Sequence, residues 1–204
     1  MDIMQAFCKL LSYSKFRLRA ALEAKIKDAK RKAMKNIHMA LLAAPGQFSS
    51  DGCCEMVFQQ GRYAYDCTYN GFRELSKHFF PQIGNLRPEG EEFECAVFLS
   101  TQLEGVKYWI RNVDRKPTAF SLQTGTDRFY PDFLCLLEDG RVLLVEYKNS
   151  KDWDLPDNEE KRILGDLWER RSNGKGLFIM PCGKDWPAIR EKIKKPNLDD
   201  LIRS

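Results

Sequence analysis

Two apolar runs around an Asp-Gly pair constrain this chain more than any other feature. Phe133, Leu134 and Leu136 precede Asp139-Gly140, and Val142, Leu143, Leu144 and Val145 follow it. Short apolar runs flanking such a turn predict a β-hairpin. Apolar residues on both faces predict that the hairpin is central in its sheet, covered on both sides. Yet Asp132 interrupts the start of the first run, and Glu146 and Lys148 interrupt the end of the second. Charges at the end of a central strand need a reason, because an unpaired carboxylate in apolar surroundings is costly.

Strand geometry narrows the reason. Glu146 and Lys148 are two residues apart, so both point to the same side of a sheet. Whether Asp132 joins them depends on the turn. A two-residue turn at Asp139-Gly140 would pair Asp132 with Tyr147 and aim its side chain the wrong way. A three-residue loop, Glu138-Asp139-Gly140, would pair Leu137 with Arg141 and Asp132 with Glu146. Such a loop needs a left-handed residue at its third position, which suits Gly140. The bulged three-residue loop is therefore predicted, a distortion near Asp132 being the other way to turn its side chain.

Two carboxylates brought this close repel, and each becomes easier to protonate. A divalent cation between them removes that cost. Magnesium takes oxygen ligands and keeps several waters, so Asp132, Glu146 and the Tyr147 carbonyl would suffice. A lysine beside the metal, Lys148, can orient a water and stabilise negative charge growing on a phosphate. The set points to phosphodiester hydrolysis. The plainer alternative is a Glu–Lys pair that stabilises an exposed sheet face.

The rest of the chain supplies a setting. Leu22, Ile26, Ala29, Ala33, Ile37 and Ala40 recur every three or four residues, predicting an amphipathic helix from an N-cap at Ser14 to Pro45-Gly46. Residues 2–11 predict a shorter helix before it. Residues 46–54 read as a loop, 55–69 as a small β-hairpin around Gln60-Gly61, and 71–80 as a short helix stopped by Pro81. Residues 81–92, rich in Pro, Gly and charge, mark the boundary. This divides the chain into an N-terminal helical and β extension (1–88) and a second domain (89–204). The second domain reads as a helix from Glu91, strands at 106–113 and 118–124, the hairpin, a helix at 154–173, a strand at 176–182 in the middle of the sheet, and a last helix at 185–195. That order gives an α/β fold with a mixed sheet.

Charge and cysteine usage bound the partners. The net charge is only +4, but residues 1–43 hold ten Lys/Arg against three Asp/Glu. Such an arm suits a polyanion, or equally a solvated helix face. Seven cysteines with no CxxC pair fit a reducing, cytoplasmic setting. Cys95 and Cys135 lie in apolar runs and read as core residues. Cys53, Cys54 and Cys67 with His78 offer donors for zinc, though their spacing matches no usual finger. No run of about 18 apolar residues occurs, so no membrane span is predicted. The N-terminus lacks the apolar centre of a signal peptide.

Pro131-Asp132 and Glu146-Tyr147-Lys148 resemble the PD-(D/E)xK nuclease signature. The predicted order resembles that superfamily's restriction-endonuclease-like core, α-β-β-β-α-β. The segments "GEEFECA", "VKYWIRNVDR", "TDRFYPDF", "DGRVLLVEYK" and "EKRILGDLW" are similar to the C-terminal endonuclease region of type III restriction enzyme Res subunits and related helicase-nucleases, most closely from Gly90 to Met180. The resemblance implies a DNA endonuclease in which Asp132 and Glu146 bind Mg²⁺, or Mn²⁺ in its place, and Lys148 is catalytic. It also implies a further acid from the first helix, for which Glu94 is chosen over Glu91 and Glu92. Lys161 would reach the site or the phosphate backbone, or form a surface salt bridge. Arg111 and Arg128 would contact phosphates, or pair with Asp114 or Asp127. Trp168 is expected in the core rather than stacked on bases.

In one respect the chain departs from that family. Res subunits carry an ATP-driven motor, and no G-x-x-x-x-G-K-[ST] loop occurs here; "NGKGL" at 173–177 lacks the spacing and the hydroxyl residue. An ATP-dependent helicase or translocase, absent from this sequence, is then expected as a partner. This chain would be an excised piece, a truncated product or a free-standing nuclease. Its N-terminal helix is expected to dock the motor or to mediate assembly, for instance as a homodimer.

Overall fold

The computed structural model describes residues 3–43, 58–124 and 127–196. The chain divides into two units, Met1–Ala43 and Ala44–Ser204. The first is a single helix, α1 (Ile3–Ala43). The expected break after residue 11 and the N-cap at Ser14 are not found. Residues 12–14 include neither Gly nor Pro, and serine inside a helix costs only a few tenths of a kcal/mol, so the helix runs through them. Ion pairs one turn apart brace it, Arg19 with Glu23 and Asp28 with both Arg31 and Lys32.

The second unit contains α2 (Glu91–Thr101), β1 (Val106–Arg111), β2 (Leu122–Gln123), β3 (Arg128–Phe129), β4 (Phe133–Leu137), β5 (Val142–Val145), α3 (Pro156–Arg171), β6 (Gly176–Ile179) and α4 (Trp186–Lys194). Four strands form a mixed sheet in the order β1-β4-β5-β6, antiparallel except for the parallel pair β5 and β6. Helix α3 makes the crossover that a parallel pair requires. β2 and β3 form a separate two-stranded ladder.

The hairpin has the predicted three-residue loop. Leu136 pairs with Val142, and the Leu137 N–H donates to the Arg141 carbonyl at 2.8 Å. Gly140 adopts φ +85°, which a residue with a Cβ rarely accepts. The ladder closes at Phe133–Val145, so its next step sets Asp132 opposite Glu146. Arg141 ties the turn to the end of α4. Its buried guanidinium donates to the carbonyls of Ile193 (2.6 Å) and Lys195 (2.7 Å), which lack partners inside the helix.

Both faces of the hairpin are covered, which is why its strands are apolar throughout. On one face Phe133, Cys135, Leu137, Leu143 and Val145 join Cys95, Val97, Phe98 and Leu99 of α2 and Ile189 of α4. On the other, α3 lies close to β6. A Cβ on Gly165 would fall 2.2 Å from the Phe178 ring, and one on Gly176 2.4 Å from the Trp168 ring. Strand β6 was expected in mid-sheet. It is an edge strand, and its apolar character reflects cover by α3 and α4 rather than neighbours on both sides.

Residues 58–88 differ most from expectation. No named strand or helix forms among them; Thr68 and Gly84 make one isolated bridge. The expected hairpin at 55–69 is therefore missing from its described part, as is the helix at 71–80. Their backbone groups are satisfied elsewhere. The Trp109 N–H donates to the Lys77 carbonyl, and the Phe79 N–H to the Trp109 carbonyl, both at 2.9 Å. The segment thereby lies along β1 and covers an edge that would otherwise be open. Lys77, with φ +62°, makes the bend that a helix would forbid. Leu75, Ile83 and Leu86 enter the same core as the sheet. Residues 58–88 thus belong with the sheet, and the division falls at 43/44 rather than 88/89.

Candidate active site

Asp132 stands where β4 begins, and its backbone is clamped from two sides. Asn112, just past β1, donates its N–H to the Asp132 carbonyl (2.9 Å) and its Nδ2 to the carbonyls of Pro131 (2.8 Å) and Phe120 (2.9 Å). Its Oδ1 accepts the Phe120 N–H. The Asp132 carboxylate spans the rim of the sheet. Oδ2 accepts the Tyr147 N–H at 2.8 Å, and Oδ1 accepts Arg111 Nη1 at 3.0 Å. The second arm of Arg111 donates to Glu92 Oε2 at 2.6 Å, and its guanidinium lies over the Phe133 ring.

Glu146 is almost fully buried, at 1% exposure. Lys148 Nζ lies 2.9 Å and Lys161 Nζ 2.6 Å from the same oxygen, Oε1. The other oxygen, Oε2, is buried with no hydrogen-bond partner. Burial, and after it the nearby Asp132 charge, pushes the Glu146 carboxyl up to about 7 against the pull of the two lysines. Burial likewise raises Glu92. Lys148 moves up as well, because the carboxylates of Glu146 and Asp132 outweigh the opposing effect of its burial. Three acids, Asp132, Glu146 and Glu92, therefore face three cations, Arg111, Lys148 and Lys161.

The remaining expected residues divide. Lys161 does reach the site, carried there by α3, and also caps the Phe129 ring. Glu94 does not. Two residues along a helix is about 200° of rotation, so Glu94 turns away and pairs with Lys184, while Glu92 faces Asp132 through Arg111. Arg111 pairs with neither Asp114 nor Asp127, and its guanidinium lies beneath the acids instead of facing solvent. Arg128 is exposed on β3. Trp168 is half-buried against Phe120. Cys95 and Cys135 are fully buried. His78 is no zinc ligand: Nδ1 donates to the Phe80 carbonyl (2.7 Å) and Nε2 accepts the Arg111 N–H (3.3 Å), so both ring nitrogens are engaged. Cys67 is exposed beside Asn85, and Cys53 and Cys54 lie outside the described residues. Sequence reasoning missed Asn112. Its signal was a polar residue closing an apolar strand.

Comparison with protein-family models, curated proteins and solved structures found no match.

The donor set is compatible with one hard divalent cation. Glu146 Oε2 is a buried acceptor with nothing to accept from. Each Asp132 oxygen accepts one side-chain or backbone donor and keeps a further lone pair. N–H directions alternate at Glu146, Tyr147 and Lys148, toward Ile179 of β6, Asp132, and Pro181 just past β6. In such an extended stretch a residue's N–H and C=O leave on the same side, so the Tyr147 carbonyl is aimed toward Asp132. Among the described residues no three His, Cys, Asp or Glu side chains converge as a protein cage. Magnesium does not need one.

Proposed function

We propose that this chain is a metal-dependent DNA endonuclease domain with a restriction-endonuclease-like core, the cutting part of a type III restriction-like system. The observation that carries the reading is the unpartnered Oε2 of Glu146, buried across the strand ends from Asp132. The order α2, β1, β4, β5, α3, β6 supports the α-β-β-β-α-β core, with β2 and β3 as an insertion.

Asp132, Glu146 and the Tyr147 carbonyl would hold Mg²⁺, or Mn²⁺ in its place. Once bound, the metal would polarise a phosphoryl oxygen and acidify a water. Lys148 has the reach to orient that water and to neutralise charge gathering on the phosphate. Asn112 and the Tyr147 N–H hold Asp132 fixed, so its carboxylate need not reorganise during the reaction. Lys161 and the exposed Arg128 are offered to the DNA backbone, whose charge supplies most of the affinity. Specificity and translocation would come from an ATP-driven motor outside these residues.

Incubation with plasmid DNA and Mg²⁺ or Mn²⁺ tests the reading. Wild type should nick the plasmid and Asp132→Ala should not; equal nicking by both overturns the assignment. A panel of RNA and branched DNA defines the substrate.

One observation favours a second reading, a nucleic-acid-binding or assembly module that retains the fold without cutting. The three acids are matched in charge by three cations of the chain itself. Mn²⁺ calorimetry separates the two, since a pure scaffold has no need to bind metal through Asp132 and Glu146.

A further inference from the structure

We infer that Arg111 serves as a built-in cation between Glu92 and Asp132, so that this site accepts one divalent ion and not two. The inference rests on the metal-binding reading above and adds its stoichiometry.

Asp132 has a carboxylate on each side, Glu146 across the strand ends and Glu92 through Arg111, so each side taken alone offers a pair of acids to a cation. The space on the Glu92 side is filled. The guanidinium of Arg111 donates through Nη1 to Asp132 Oδ1 (3.0 Å) and through Nη2 to Glu92 Oε2 (2.6 Å). A planar fork with a permanent charge suits such a bridge, because it satisfies two carboxylates in fixed directions. It is also hard to displace. The Arg111 side chain is 12% exposed, its Cζ lies 5.1 Å from the Phe133 ring centroid, and Nη1 is further engaged by the Asp132 carbonyl at 2.9 Å. The strand's own N–H at this residue is held by His78, which fixes where the side chain starts. A second cation would have to enter between like charges already neutralised, beside a buried positive group.

The other end of the acid set is different in kind. The cations near Glu146 are two lysines, both on Oε1, and Oε2 has no partner. The open coordination position therefore lies on the Glu146 side of Asp132, and the closed one on the Glu92 side. Arg111 acts as a positioning residue: it fixes the Asp132 carboxylate and occupies the second cation's place.

Mn²⁺ titration of the full chain by calorimetry, with electron paramagnetic resonance to detect coupled ion pairs, tests this without reference to cleavage. Wild type should bind one Mn²⁺ with no coupled signal. Arg111→Met should bind two, and Arg111→Met combined with Glu92→Gln should return to one. Arg111→Lys, which keeps a charge but loses the fork, guards against a methionine variant that fails to fold; it should take up a second, weaker ion. Two ions in wild type, or one ion in both folded Arg111 variants, overturns the inference while leaving the metal site intact. No Mn²⁺ binding by folded wild type removes the metal-site reading and this inference with it.

Discussion

Lys161 Nζ lies 2.6 Å from Glu146 Oε1, so the first turns of α3 are held by charge to the end of β5. Lys148 shares that oxygen from the strand itself. One nearly buried carboxylate thus organises two lysines that a phosphate would otherwise meet as mobile chains. When a buried ion pair loses one partner, the charge left behind is what destabilises the fold.

Lys161→Met should lower stability by about 1–2 kcal/mol, less than a fully buried pair because Lys148 remains. Thermal unfolding of the metal-free protein should show a Tm lower by a few degrees. The same change removes a positive neighbour from the acids, so Mn²⁺ should bind more tightly. An unchanged Tm together with unchanged Mn²⁺ affinity would mean that the pair does nothing.

Glu146 predicts an inverted pH response. Its carboxyl titrates near 7 when folded, against 4.5 for an ordinary glutamate, because of burial first and Asp132 second. Between those values the folded protein holds a proton that the unfolded chain releases. Stability from this group is full below about 4.5 and is lost as pH rises through about 7. The stability of metal-free wild type minus that of Glu146→Gln should therefore fall from pH 5.5 to pH 8, measured by urea unfolding. A flat difference would show that burial leaves Glu146 unperturbed.

His78 responds in the opposite sense. Burial holds it at about 4, below the 6.5 of a free imidazole. The unfolded chain binds a proton between those values that the folded protein refuses. Stability from this group is present above about 6.5 and is lost as pH falls through about 4. His78→Gln should flatten this acid limb while losing some stability at pH 7 through its poorer fit between Trp109 and Phe80. An acid limb unchanged in the variant would assign it to other groups.

Gly165→Ala tests the close approach of α3 to β6. The added methyl would fall 2.2 Å from the Phe178 ring, which is buried and has little room to yield. Helix propensity alone favours alanine by about 1 kcal/mol. Overpacking of this kind costs about 1–3 kcal/mol, so a net loss is expected. Because α3 carries Lys161, a shifted helix should also weaken the Lys161–Glu146 pair. A stabilised variant would mean that the helix moves aside freely.

Much of the sheet was legible because its signals are local. Apolar runs and an Asp-Gly pair act within a few residues, and the hairpin register followed from turn geometry alone. Residues 58–88 were not legible. Their aromatic and apolar residues look like strands and a helix, but the backbone of Lys77 and Phe79 pairs with Trp109, and the Tyr63 hydroxyl donates to the Arg111 carbonyl, far along the chain. The choice of Glu94 over Glu92 failed for a related reason. Either acid fits the start of a buried helix, and only the rotation of α2 on the sheet sets which one meets Arg111. For Arg111 the charge was read correctly and the direction was not, because a sequence does not show which side of a strand end is roofed.

The turn at Gly140 has a consequence beyond its three residues. Strands β4 and β5 are apolar on both faces, so a one-residue slip between them would bury nearly the same surface. The hydrophobic core is almost indifferent to alignment here. What tells the two alignments apart is the left-handed backbone of one glycine, and with it whether Asp132 meets Glu146 or faces away. The loop at the opposite end of the hairpin from Asp132 and Glu146 thus acts as a ruler, and lengthening it by one residue should leave a folded sheet whose acids no longer meet.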